Sequence, residues 1–254
     1  AFILNEWYGR TVIKSDKRFT YAEAQKVIDT GEGDMKEQVL ALHNLAQKLR
    51  EKRFSTGSFA FERLEVKFNL AEDGTPLGIN FREFGSSNQL IEEFMLLANK
   101  KVAEYAGKKH RGKTFVYRIH DKPDPEKLHS FSYFIKRFGY SLDADDPKGL
   151  SASMNKLMND VAGKKEQNIV ETLALRTMAK AVYSTDNIGH YGLSFPYYTH
   201  FTSPIRRYPD MMVHRLLTKY LEGEAPRDGA KYEKLCEHSS KRERLATDAE
   251  RSSI

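Results

Sequence analysis

The chain has 254 residues, and 41 Lys plus Arg against 35 Asp plus Glu give a formal charge of +6 with neutral histidines. Apolar residues at 40% and charged residues at 30% exclude a wholly disordered chain and are enough for one large folded domain or two small ones. The single cysteine, Cys236, excludes an internal disulfide and a zinc site built from several cysteines.

No apolar run approaches the roughly 18–20 residues of a membrane span. The best, around Phe94 to Ala98, is interrupted by Lys100 and Lys101. The start, AFILNEWYGR, has no basic region followed by an apolar stretch and does not read as a secretory leader. A reduced, cytoplasmic protein is the expectation. The charge points to a polyanion partner only if the cations cluster. The first residue is alanine, and the last stretch, LATDAERSSI, still reads as helical without a Gly or Asn cap. A piece of a longer chain is therefore expected.

In chain order, TVIK at 11–14 reads as a strand. Thr20 with Glu23 three places on is a capping box that opens a helix. Val39, Leu42, Ala46 and Leu49 repeat at helical spacing and predict a helix over 34–52. Leu64, Val66, Phe68 and Leu70 alternate with polar residues as in a half-buried strand. Asp73-Gly74 is a hairpin turn, and 78–84 returns as the partner. Ile91, Phe94, Met95, Ala98 and Val102 form one apolar stripe on a helix over 87–106. A short strand at 114–119, a helix at 123–138, a loop and helices at 150–162 and 166–182 follow. A non-periodic stretch at 184–203 precedes helices at 204–222 and 229–251. The fold class expected is mixed α/β (α+β), helix-rich with a small antiparallel sheet, and 1–254 read as a single domain.

The least generic stretch is 189–215, GHYGLSFPYYTHFTSPIRRYPDMMVHR, where glycines, prolines and hydroxyls alternate with aromatic rings and arginines. Thr202 or Ser203 reads as the cap of a helix with Pro204 at its first position, whose free N–H groups suit an anion. Arg206 and Arg207 lie in or beside that turn, and a guanidinium fork can bond two phosphate oxygens at once. Arg206, Asp210 and His214 fall at i, i+4 and i+8, so Asp210 either orients Arg206 or neutralises it. Arginines on a first turn are as often solvated or paired with acids as bound to phosphate.

YYTHFTSPIRRYPDMMVHR resembles the signature of the ribonuclease II and ribonuclease R family. RTVIKSDKRFTYAEAQ, FERLEVKF, LIEEFMLLAN and YRIHDKPDPEKL are similar to ribonuclease R in the same order. The resemblance implies a processive, magnesium-dependent exoribonuclease that shortens single-stranded RNA from its 3′ end to nucleoside 5′-monophosphates, in a mixed α/β domain with a channel for the strand. It implies a catalytic role for Arg206 near the scissile phosphate and, on a weaker match, for Glu250 near the 3′ end. It assigns Tyr21 and Glu93 to the ribose, with Glu92 the alternative one residue away, and Phe61 to base stacking. His200, Ser203, Arg207 and Tyr208 of the signature are assigned to RNA binding. Taken without the resemblance, Tyr21 is a surface residue, Glu92 and Glu93 are a solvated helix edge, and Phe61 is core.

The family's magnesium is held by aspartates in a pattern like D-x-D-D-A, which is absent here. Asp143, Asp145 and Asp146 read instead as a solvated acidic turn, so no metal ligands are assigned in this chain. The cold-shock and S1 modules of the family are absent too. The chain by itself is accordingly expected to hydrolyse RNA slowly or not at all, and to bind it weakly. Two alternatives stand beside the enzyme: a non-catalytic module of the same fold that binds RNA or a protein, and a DNA strand-cutting enzyme built on His214, Arg215 and Tyr220. The second lacks the required spacings. His190, His200 and His214 are too widely spaced to suggest zinc.

Overall fold

The structure is a computed structural model that describes residues 3–59, 65–71, 73–82, 84–143, 147–224 and 228–252. Backbone contacts divide the chain into two units: Ala1–Ile3, Thr11–Lys52 and Ala60–Phe94 in the first, Leu4–Arg10, Arg53–Phe59 and Met95–Ile254 in the second.

In the first unit, α1 (Tyr21–Thr30) opens on the expected capping box. The Glu23 N–H donates to Thr20 Oγ1 at 3.2 Å, and the Thr20 N–H donates to the Glu23 carboxylate at 2.7 Å. Gly31 ends the helix in the left-handed region at φ +69°, its N–H bonded to the Val27 carbonyl. Helix α2 covers Lys36–Ser55, and the hairpin of β1 (Glu65–Leu70) and β2 (Pro76–Arg82) is antiparallel about Asp73-Gly74. Among the described residues of this unit, Val27, Val39, Ala46 and Leu90 are the buried apolar ones. The strand expected at 11–14 does not form. Val12 and Ile13 are exposed in irregular backbone, because no strand among the described residues pairs with them.

Helix α3 runs through Ser86–Lys109. In the second unit, β3 (Tyr117–Ile119) pairs antiparallel with β4 (Val182–Ser184). The expected helix over 166–182 is shorter, since α6 ends at Thr177 and its last predicted residue enters the sheet. Helix α4 (Pro125–Lys136) starts after Asp124, whose side chain accepts from the Glu126 and Lys127 N–H groups. It packs on α6 (Gln167–Thr177), as does α5 (Pro147–Val161).

Helices α7 (Tyr208–Leu221) and α8 (Gly229–Ser252) complete the unit. Its core joins Val102, Ala103 and Ala106 of α3, Phe115 to Tyr117, Met212, Val213, Leu216 and Leu217 of α7, and Cys236 of α8. Each large aliphatic side chain buried there contributes roughly 1.5–3 kcal/mol, so this core is what fixes the segment leading into α7.

Candidate nucleic-acid interface

The approach to the signature is a folded loop. Gly189 takes φ +82°, and a Cβ there would stand 3.1 Å from the Phe195 carbonyl oxygen, so glycine is required. The His190 N–H donates to that same carbonyl at 2.8 Å, and the Tyr191 N–H donates to the His120 carbonyl at 2.8 Å. The side chain of His120 has a defined tautomer. Its Nε2 lies 2.7 Å from the Ala179 carbonyl, which can only accept, and its Nδ1 accepts from the Gly192 N–H at 2.9 Å. Burial pushes the pKa of His120 down and that of His190 to about 3.

Chain segments far apart in sequence then fix residues 198–201. The Arg118 N–H donates to the Tyr198 carbonyl at 3.0 Å. Asn99 donates to the Tyr198 hydroxyl at 3.2 Å and accepts from the Phe201 N–H at 2.9 Å. Thr199, fully buried, donates to the Val116 carbonyl at 2.7 Å. His200 Nδ1 lies 2.8 Å from the Tyr183 hydroxyl. The pKa of His200 is pushed down to about 2, first by burial, then by the positive charges of Arg207 and Arg118, with Arg206 also contributing. Burial raises the Tyr183 phenol to about 12, so the phenol stays protonated beside Nδ1. His200 is therefore a neutral group in a cationic setting. Arg118 is held in turn by both oxygens of Glu243, at 2.7 and 3.0 Å, and sits over the Tyr183 ring at 4.5 Å.

The turn that carries the arginines differs from the sequence expectation. No helix starts at Pro204. Residues 204–206 form a turn in which the Arg206 and Arg207 N–H groups both donate to the Ser203 carbonyl, at 3.3 and 3.0 Å. Helix α7 begins at Tyr208, with Arg207 as an extended cap residue and Pro209 in the first turn. The reason is Asp210. Its Oδ1 accepts from the Ser203 N–H at 2.8 Å and from Arg207 Nη2 at 2.7 Å, drawing the turn back onto the helix. Asp210 thus pairs with Arg207 and not with Arg206. Arg206 is exposed and has no ion-pair or hydrogen-bond partner through its side chain among the described residues. His214 lies lower on α7, stacked on Phe201 at 4.1 Å, with Nε2 2.9 Å from the Phe201 carbonyl.

The structure therefore brings His200, Ser203, Arg206, Arg207 and Tyr208 together on one pinned segment. Glu250 is exposed on the last turn of α8. Tyr21, half exposed at the start of α1, and Glu93 belong to the first unit. Glu93 is 3% exposed, with Arg50 at 3.9 Å, whereas Glu92 faces outward. Phe61 lies outside the described residues, as do Asp145 and Asp146. Among the described residues no group of three or more His, Cys, Asp or Glu could hold a metal ion. Sequence reasoning did not single out Arg118, Tyr183, Asn99 or Glu243. They sit in ordinary strand and helix patterns, and only their long-range pairing marks them.

Residues 1–223 match the model of the RNB domain. The chain is 36% identical to ribonuclease R 1 of Lactococcus lactis subsp. lactis over 98% of its own length and 32% of the relative's. It is 37% identical to ribonuclease R of Aquifex aeolicus over 96% of its length and 36% of the relative's. Its fold is similar to that of Mycoplasma genitalium RNase R, solved in complex with ribose-methylated single-stranded RNA. The TM-score is 0.81 at 28% identity, over 92% of this chain and 38% of that one. The chain spans about a third of the length of these relatives. No helix among the described residues is long and apolar enough to cross a membrane.

Proposed function

The chain belongs to the RNB domain family, and from that premise we propose that it forms part of the catalytic domain of a cytoplasmic exoribonuclease. The reaction is processive hydrolysis of single-stranded RNA from the 3′ end to nucleoside 5′-monophosphates. The observation that carries this reading is the contrast between the two arginines. Arg207 is tied to the fully buried Asp210, and Arg206 is left open on a turn whose backbone is already ordered.

An unpaired guanidinium on a pinned turn can meet a phosphate without first breaking an ion pair. It stabilises the charge that grows on the phosphoryl oxygens as the bond to the next nucleotide breaks. Arg207 and Ser203 serve this role by holding the turn. His200, kept neutral, stands beside the arginines as an uncharged hydrogen-bonding group. Tyr208, half exposed at the start of α7, is placed for contact with the strand. Tyr21 and Glu93 take the ribose, consistent with recognition of the 2′-hydroxyl, Phe61 takes a base, and Glu250 acts near the 3′ end. Magnesium belongs to the family's chemistry. Among the described residues no group of three or more His, Cys, Asp or Glu could hold it.

The test is hydrolysis of a labelled single-stranded RNA, with magnesium, by the full natural polypeptide that carries this sequence. Arg206→Ala should lower kcat by about 10²–10³, as expected for loss of one group that stabilises transition-state charge. Unchanged turnover would overturn the reading.

A further inference from the structure

A second basic surface lies outside the signature, at the turn joining α3 to β3. Residues 108–113 read KKHRGK and contain no carboxylate. Lys108 and Lys109 close α3, where they complement the helix dipole, but Arg111 and Lys113 lie beyond the helix and gain nothing from it. All four are exposed. Glu104 stands 3.9 Å from Lys108 and is already engaged by Lys101 at 3.2 Å. Among the described residues Lys109, Arg111 and Lys113 have no ion-pair partner.

The turn is rigid. The ring of His110 stacks on Tyr220 at 4.5 Å and meets the edge of Tyr105 at 5.4 Å. Its backbone N–H donates to the Ala106 carbonyl, and its own carbonyl accepts from the Lys113 N–H, both at 3.0 Å. The Tyr220 hydroxyl donates to the Thr114 carbonyl. Like charges are thus held side by side on a fixed frame, an arrangement that repels itself until an anion arrives.

Lys113 sits over the Tyr220 ring at 5.9 Å, and Thr114 borders Gly229 at the start of α8. Between α7 and α8 a cleft of about 360 Å³ carries Arg215, Lys219 and Lys231 together with the rings of Tyr208 and Tyr232. Its one lining acid among the described residues, Asp228, accepts from the Lys231 N–H at 3.1 Å, and Lys219 is paired with Glu224 at 3.7 Å, which leaves Arg215 and Lys231 as the cleft's further cations.

We propose that the 108–113 turn is an accessory docking surface for the backbone of an RNA strand, outside the signature, and that the α7–α8 cleft, lined in part by Tyr208 and Arg215 of the signature, continues it toward the end being cut. The proposal rests on the RNA reading of the signature. An RNA strand fits better than an acidic protein because the cations of the cleft stand beside the half-exposed ring of Tyr208 and that of Tyr232, on which bases can stack.

The test measures binding of a long labelled single-stranded RNA to the full natural polypeptide across a range of salt. Replacing Lys108, Lys109, Arg111 and Lys113 by Gln should lower the slope of log affinity against log salt by about 3, at about 0.7 per phosphate neutralised on a single strand. Arg206→Ala alone should lower it by about 0.7. An unchanged slope in the quadruple variant overturns the proposal. So does polyglutamate that displaces RNA from the parent as effectively as a competing RNA, since the surface would then fit an acidic protein. If the quadruple variant responds and Arg206→Ala does not, the accessory surface stands and the reading of the signature fails.

Discussion

Asp210 Oδ1, on a residue with no exposure to solvent, lies 2.7 Å from Arg207 Nη2, and the same oxygen accepts the Ser203 N–H at 2.8 Å. One carboxylate therefore sets the shape of the turn and removes one of two adjacent guanidiniums from competition for a ligand. Removing it leaves a half-buried cation and a backbone donor without their partner. Asp210→Ala should cost about 3 kcal/mol of stability in denaturant unfolding. It should also lower RNA hydrolysis, because Arg206 loses its frame. A variant as stable as the parent would show that the pair does not hold the turn.

Arg206 should separate function from stability. Its guanidinium is exposed and unpaired among the described residues, so Arg206→Ala should shift stability by no more than about 0.5 kcal/mol while turnover falls. A large drop in unfolding free energy would mean that the residue is structural.

His190 and His200 are bases kept neutral by burial, with pKa values near 3 and 2 against an ordinary 6.5. Below about pH 6.5 the unfolded chain takes up a proton at each and the folded chain does not. Stability must therefore fall with falling pH, by up to about 1.4 kcal/mol per pH unit for each histidine. His200→Gln should make the loss between about pH 7 and about pH 5 smaller by about 2 kcal/mol. Urea unfolding at the two pH values reads this directly, and equal losses in parent and variant would refute it.

Gly189 sits at φ +82° with the Phe195 carbonyl oxygen 3.1 Å from where a Cβ would stand. Gly189→Ala should cost about 2 kcal/mol, from left-handed strain and from the close backbone contact. Thermal unfolding checks it, and an unchanged Tm would mean that the loop relaxes freely.

In α1, Thr20→Ala removes the acceptor of the Glu23 N–H and should cost about 1 kcal/mol. Thr20→Ser should restore most of it, which amide exchange over the first turn would report.

The elements legible in the sequence are those written in neighbouring residues. The Thr20–Glu23 box and the Asp73-Gly74 hairpin depend on spacings of two to four, and each has the expected form, whereas the apolar stripe of α3 is displaced: Val102 is buried, but Ile91 and Met95 are exposed and Leu90, Ala103 and Ala106 are buried instead. The signature's chemistry was legible as residue types, down to the arginine pair. Its geometry was not. Ser203-Pro204 carries the local marks of a helix start, yet the helix starts at Tyr208, because Asp210 reaches back to Ser203 and Arg207. The TVIK segment has strand propensity, but a strand needs a partner to take up its N–H and C=O groups, and the described residues offer none.

The sequence by itself determined the family, the run of local helices and turns, and which residues could meet a phosphate. The tertiary structure alone decided which arginine is unpaired among the described residues, which tautomer His120 holds, and that Arg118, Tyr183 and Glu243 stand behind the signature. Burial and charge pairing are long-range properties: they depend on what the folded core brings beside a residue, and no spacing along the chain encodes that.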